Sequence, residues 1–172
     1  MSKTAATVLA FVCLMLLSMP MSAQLIPHGN AYLGAAYADS YDVTIRYPFK
    51  GWNASAEAIP LSRYSFVGLV LDGSGFYNKT HGITQYNILA GPRVAHTFGK
   101  WRPFVHAMAG IQMVTVNQVK YHPLAIDLGG GADYKLPFRN FSWRLQADYL
   151  HTHLLSAYQN DVRASTGIVF RF

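Results

Sequence analysis

The sequence predicts an all-β protein: an eight-stranded, antiparallel, up-and-down transmembrane β-barrel that follows a cleaved signal peptide. Three observations lead there. Apolar and polar side chains alternate with a period of two along most of the chain, which is the signature of strands rather than helices. One parity class of that alternation carries no charge. Beyond residue 23, no uninterrupted apolar run is long enough to cross a bilayer as a helix. With 172 residues, 51% of them hydrophobic and 13% charged, the chain is sized for one domain and is too apolar to be disordered. Its net charge of +6 is spread thinly, with no Lys/Arg run longer than two, so nucleic acid is not an expected partner.

The chain divides into a signal peptide, 1–23, and a barrel domain, 24–172. Lys3 supplies the positive n-region, 5–17 is the apolar stretch, Pro20 ends it, and Ser22-Ala23 offers a small-residue cleavage site. The alternative is a retained anchor helix, for which the stretch is short. The only cysteine, Cys13, lies in this segment. The barrel domain therefore has neither disulfides nor thiol chemistry nor cysteine-based zinc sites.

Strands follow in order. The first is placed at 31–37, with unresolved parity. The second, 53–59, sets Ala54, Ala56 and Ala58 against Ser55 and Glu57. The third, 64–77, sets Val67, Leu69 and Leu71 against Gly68 and Asp72. The fourth, 86–94, carries Asn87 and Arg93 on its polar side, and the fifth, 103–114, carries His106 and Gln112. The sixth, 124–136, opposes Leu124, Ile126, Leu128, Ala132 and Tyr134 to Asp127, Gly129, Gly131, Asp133 and Lys135. The seventh, 141–150, opposes Phe141, Trp143, Leu145, Ala147 and Tyr149 to Ser142, Arg144, Gln146 and Asp148. The last, 162–172, alternates to the C-terminus. Short turns are expected at 60–62, 96–100 and 137–140, and longer loops at 38–51, 78–82, 115–123 and 151–160. That asymmetry, with both termini at the short-turn end, suits an outer-membrane barrel with periplasmic termini.

Glu57, Asp72, Asp127, Asp133, Asp148, Arg93, Lys135, Arg144, Arg163 and Arg171 all fall on the polar strand face, and the remaining charges of the barrel domain fall in turns or loops. A charge-free face around the whole sheet suits lipid, where one mid-bilayer Lys or Arg costs about 2–4 kcal/mol. A soluble lipocalin-like barrel would reverse the faces. Glycines in the polar class (Gly91, Gly110, Gly129, Gly131, Gly167) leave space in a narrow lumen. Tyr134, Phe138, Phe141, Trp143, Phe170 and Phe172 cluster near strand ends as an interfacial girdle does. A turn centred between Phe138 and Arg139 sets Asp133 opposite Arg144, and a loop centred near residue 155 sets Asp148 opposite Arg163, as cross-strand ion pairs.

The C-terminal segment, from Ser165 through Gly167 and Phe170 to Phe172, resembles the assembly signal of bacterial outer-membrane barrels. The chain from residue 24 on is similar to the small eight-stranded barrels of that superfamily, the group with OmpA- and OmpX-like folds. Ala90-Gly91-Pro92-Arg93, Pro103-Phe104-Val105-His106-Ala107 and Leu128-Gly129-Gly130-Gly131 resemble one branch of it from environmental bacteria. The resemblance implies export through the secretory pathway of a Gram-negative cell and an outer-membrane location. It implies contact with membrane lipid and lipopolysaccharide, and handling by periplasmic chaperones and the barrel assembly machinery. The barrel is expected to be a monomer.

Eight strands enclose an interior that side chains fill, so Phe104, Met108, Gln112, Arg144, Gln146 and Arg171 are expected inside and no wide pore. The role is then structural or surface-interacting. The alternative is a narrow porin-like channel for small solutes. A lipid-modifying barrel enzyme fits less well, because Ser156 follows His153 without the expected His-x-Ser spacing. No catalytic residue, cofactor or metal is expected. His151 and His153 share a strand face but lack a third ligand nearby. His106 reads as a lumen hydrogen-bonder, and Asp72 and Asp127 as salt-bridge partners. Gly129-Gly130-Gly131 lacks the lysine and helix of a phosphate loop. Asn53, Asn78 and Asn140 match the glycosylation pattern by chance. The expected loop 38–51, with Tyr41, Arg46, Tyr47, Phe49 and Lys50, is where a partner or lipopolysaccharide would be met.

Overall fold

A computed structural model describes residues 28–41, 46–59, 66–78, 82–116, 119–154 and 157–172. The expected signal peptide and Ser156 lie outside them, as do the side chains of Tyr41, Arg46, Tyr47 and His153. The described strands are β1 Gly29–Tyr41, β2 Arg46–Ala58, β3 Val67–Asn78, β4 Ile83–Ala95, β5 Trp101–Val116, β6 Val119–Tyr121, β7 Leu124–Lys135, β8 Phe141–Leu154 and β9 Ala157–Arg171. Neighbours in the order β1, β2, β3, β4, β5, β7, β8, β9 pair antiparallel, and β9 returns to β1. The result is a closed eight-stranded barrel. β6 is a short ribbon on the end of β5, pairing Val114 with Tyr121. Closure removes the sheet edges. It is completed where Gly29 N donates to Phe172 O at 3.0 Å and Phe172 N donates back to Gly29 O at 3.1 Å.

The alternation decides which face is inside. Along β8, Ser142, Arg144, Gln146, Asp148 and Leu150 are buried, while Phe141, Trp143, Leu145 and Tyr149 stand exposed on the outer wall. Leu69 and Leu71 on β3, Ile88 on β4, Val105 on β5, Ile126 and Leu128 on β7 and Ile168 on β9 continue that wall. A barrel with apolar side chains outside and charges inside is stable in lipid, not water, so the lipocalin-like alternative falls. Aromatics rim the wall at the end holding Gly29 and Phe172: Trp101 packs on Tyr134 at 4.8 Å and Phe141 on Phe170 at 5.4 Å. A second rim toward the far end has Trp52, and Tyr77 hydrogen-bonded to Tyr86 at 2.8 Å.

Several expectations need correction. The region 38–51 is mostly strand: pairing continues from Ala38↔Phe49 out to Tyr41↔Arg46. Likewise 151–160 is mostly strand, out to Leu154↔Ala157. Beyond the bilayer both faces of a strand can meet water, so backbone pairing persists where hydrophobic alternation has faded. The far-end connections 42–45, 79–82 and 155–156 are consequently short, and 59–66 at the terminal end is longer than expected. Measured between the described strands, the far-end connections are not the longer set, contrary to the anticipated asymmetry. Asp39 and Lys50 also occupy the outward parity, both within these strand extensions.

Candidate functional site

The site is the lumen, and its centre is one arginine. Arg163 on β9 donates from Nε to Asp148 Oδ2 on β8 at 2.8 Å, and from Nη2 to Asp127 Oδ2 on β7 at 2.9 Å. Its Nη1 reaches Asp72 Oδ1 at 3.2 Å and Ser74 Oγ at 2.9 Å, both on β3. A guanidinium presents five donors in a planar fork, so one side chain can serve several carboxylates where a point charge cannot. β3 lies three strands around the wall from β9 and three from β7, so these bonds cross the lumen. Neighbours complete the acids' partners: Gln146 Nε2 donates to Asp148 Oδ2 at 2.9 Å, and Asn53 Nδ2 to Asp72 Oδ2 at 2.8 Å. His106 on β5 stands with Nε2 3.0 Å from Asp148 Oδ1 and 3.5 Å from Asp127 Oδ1.

Nearer the termini lies a second cluster, rich in arginine. Arg144 holds Asp133 through two bonds, Nε to Oδ1 at 2.7 Å and Nη2 to Oδ2 at 3.1 Å. Arg171, about one-third exposed, reaches the same carboxylate at 3.3 Å. Glu57 receives Arg93 at 3.3 Å, Arg102 at 3.4 Å and Asn30 at 2.6 Å. Aromatic faces take up part of the cationic excess. The guanidinium carbons of Arg93 and Arg144 lie 4.4 and 4.6 Å from the Phe104 ring centroid, and Arg144 lies 5.0 Å from that of Tyr32. Toward the far end, Asp161 accepts from Gln85 at 2.9 Å and Gln112 at 3.4 Å, again across the lumen. Apolar side chains fill the space between and above: Val70, Leu89, Met108, Ala125 and Leu150 in one group, Ala36, Ala38, Phe49 and Phe76 in another.

Of the ten charges placed on the polar face, nine join these two clusters. Lys135 does not: β7 ends there, so its inward parity opens onto solvent and the side chain is exposed. Asp133↔Arg144 and Asp148↔Arg163 are register partners. Arg102 stands one residue before the expected fifth strand, 103–114, yet it shares the parity of Phe104 and His106, and that signal places it inside. Phe49 is buried in the lumen rather than offered by a loop. Asn53, read only as a chance glycosylation match, is a lumen donor. His151 pairs across to Asn160 Oδ1 at 2.7 Å on the outward parity of β8. Of the assembly-signal residues, Phe170 and Phe172 are exposed at the terminal rim, Ser165 is buried, and Gly167 lies opposite Gly34. The polar-face glycines serve mainly close strand approach, because a Cβ at Gly91 would meet the Ala107 backbone. Gly129 alone of the five opens space between polar side chains.

No protein-family model matches the chain, and no curated protein matches it in sequence. Solved structures do match in fold. Neisserial surface protein A superposes with a TM-score of 0.70 at 13% identity, covering 84% of this chain and 97% of that one. This chain has the fold of the small eight-stranded outer-membrane barrels. The N-terminal barrel domain of Pseudomonas aeruginosa OprF (TM-score 0.58, 16% identity, 83% and 97% covered) and the attachment invasion locus protein Ail of Yersinia pestis (0.55, 14%, 84% and 98%) share it. The fold accounts for both the apolar wall and the charged interior, the arrangement of a barrel set in lipid.

Proposed function

We propose that this outer-membrane barrel is a closed, non-enzymatic envelope protein whose lumen is a structural plug and whose role lies in its surfaces, as a scaffold in the membrane or a contact for ligands outside it. The observation that carries this reading is Arg163, whose hydrogen bonds to β3, β7 and β8 span the interior. Planar-bilayer recording of the refolded protein tests it. The expected result is no sustained conductance of porin size. A steady open level would favour the narrow channel instead.

Surface contacts are read from chemistry. The aromatic rims and Lys50 and Lys120 near the far end suit lipid headgroups and the phosphates of lipopolysaccharide. Ail has been solved with a heparin analogue, sucrose octasulfate, which supports polyanion contact as a role this fold can carry. The segment Ser165, Gly167, Phe170, Phe172 is proposed as the signal read by the assembly machinery, and the barrel as a monomer.

A further inference from the structure

β5, β7 and β8 set His106, Gly129 and Asp148 in one row of register partners, with Asp127 two residues from Gly129 on the same face. Gly129 is the gap over which the two outer side chains meet. A Cβ there would fall 2.8 Å from His106 Nε2 and closer still to Asp148 Oδ1. Arg163 engages the Oδ2 atoms of Asp127 and Asp148. Their Oδ1 atoms turn instead toward His106 Nε2, and all three atoms are buried without a hydrogen-bond partner among the described residues. Two carboxylate oxygens facing an imidazole nitrogen need a proton or a metal ion between them. Formal charge agrees: Asp72, Asp127 and Asp148 against Arg163 alone leave two negative charges beside a neutral imidazole.

We infer that His106, Asp127 and Asp148 form a site for one divalent metal ion of the Zn²⁺ class in the middle of the lumen. The three ligand atoms lie within 4.8 Å of one another. The 3.0 and 3.5 Å separations from Nε2 bracket the edge of about 3.3 Å that tetrahedral bonds of about 2.0–2.1 Å require. An imidazole with two carboxylates selects a transition metal over Mg²⁺ or Ca²⁺, which take oxygen sets. A divalent ion also brings the cluster to neutrality, and Arg163 holds both carboxylates in place from behind, as outer partners of metal ligands do. The competing occupant is a proton on Nε2.

The chain, carrying no added histidine tag, is refolded in detergent once with a chelator and once with Zn²⁺, and metal content and Zn²⁺ titration are measured on each. The expected result is one Zn²⁺ per barrel. His106→Gln and Asp148→Asn should each weaken it at least about tenfold, while His151→Gln on the outer wall leaves it unchanged. Retention of the unheated electrophoretic mobility shows which variants are folded. Should neither lumen variant fold, Co²⁺ added to the wild-type barrel should broaden NMR signals around 106, 127 and 148. Absence of bound Zn²⁺ in both preparations, binding that survives His106→Gln, or broadening confined to outer histidines overturns the site.

Discussion

The two charge clusters of the lumen reach balance by different routes. Toward the termini, four arginines share two acids, Glu57 and Asp133, and the surplus cations lie on Phe104 and Tyr32. At the centre, three aspartates share one arginine, with His106 beside them. A surplus of guanidinium can be spread over aromatic faces, because these groups are planar and weakly hydrated. A surplus of carboxylate has no such outlet and must converge on a donor. The central cluster is therefore organised around a single side chain, whereas the terminal one is distributed.

The sharpest way to break the comparison is Arg163→Ala. Removing it strands three buried carboxylates at once, so its loss should reach or exceed the upper end of the about 3–5 kcal/mol typical of a broken buried pair. Urea unfolding in detergent reads this, followed by the fluorescence of Trp52, Trp101 and Trp143, all of which stand on the outer wall and change surroundings on unfolding. In the distributed cluster, Arg144→Ala and Asp133→Ala should each cost nearer the lower end, about 3 kcal/mol, because Arg171 and the Phe104 ring remain. The double variant should lose less than the sum of the two. Strict additivity would mean that the bidentate pair is not coupled.

Leu145→Arg places on the wall the residue type that Arg144 carries inside. At mid-band it should cost about 2–4 kcal/mol, measured in the same way in lipid vesicles. A neutral outcome would reassign the wall. Phe104→Leu keeps the volume nearly filled but removes the aromatic face beneath Arg93 and Arg144, and should cost about 1–2 kcal/mol. Lys135→Ala, at the exposed end of β7, should stay within about 0.5 kcal/mol of the parent.

What the sequence made legible follows from where the bilayer acts. Between the aromatic rims, lipid on one side and packed polar groups on the other enforce the alternation. There parity alone assigns the inside, and turn arithmetic pairs Asp133 with Arg144 and Asp148 with Arg163. Past the rims that selection lapses, so Ala38, Asp39 and Ser40 carry no pattern although β1 and β2 remain paired through them. Arg102 lies one residue outside the stretch of clear alternation, and only its shared parity with Phe104 marks it as inward. The meeting of Arg163 with Asp72 was out of reach, because it joins strands that are not neighbours, and period and register describe only adjacent ones.

The mutual hydrogen bonds of Gly29 and Phe172 carry a kinetic consequence. β1 leaves the ribosome before every other strand of the barrel, and β9 after them, yet each is the other's partner. No nascent intermediate can hide both borders of its growing sheet, and the closing contact joins residues near opposite ends of the described chain. Assembly must therefore be slow and all-or-none at its last step, with the chain held apart from its own kind until both ends are in hand.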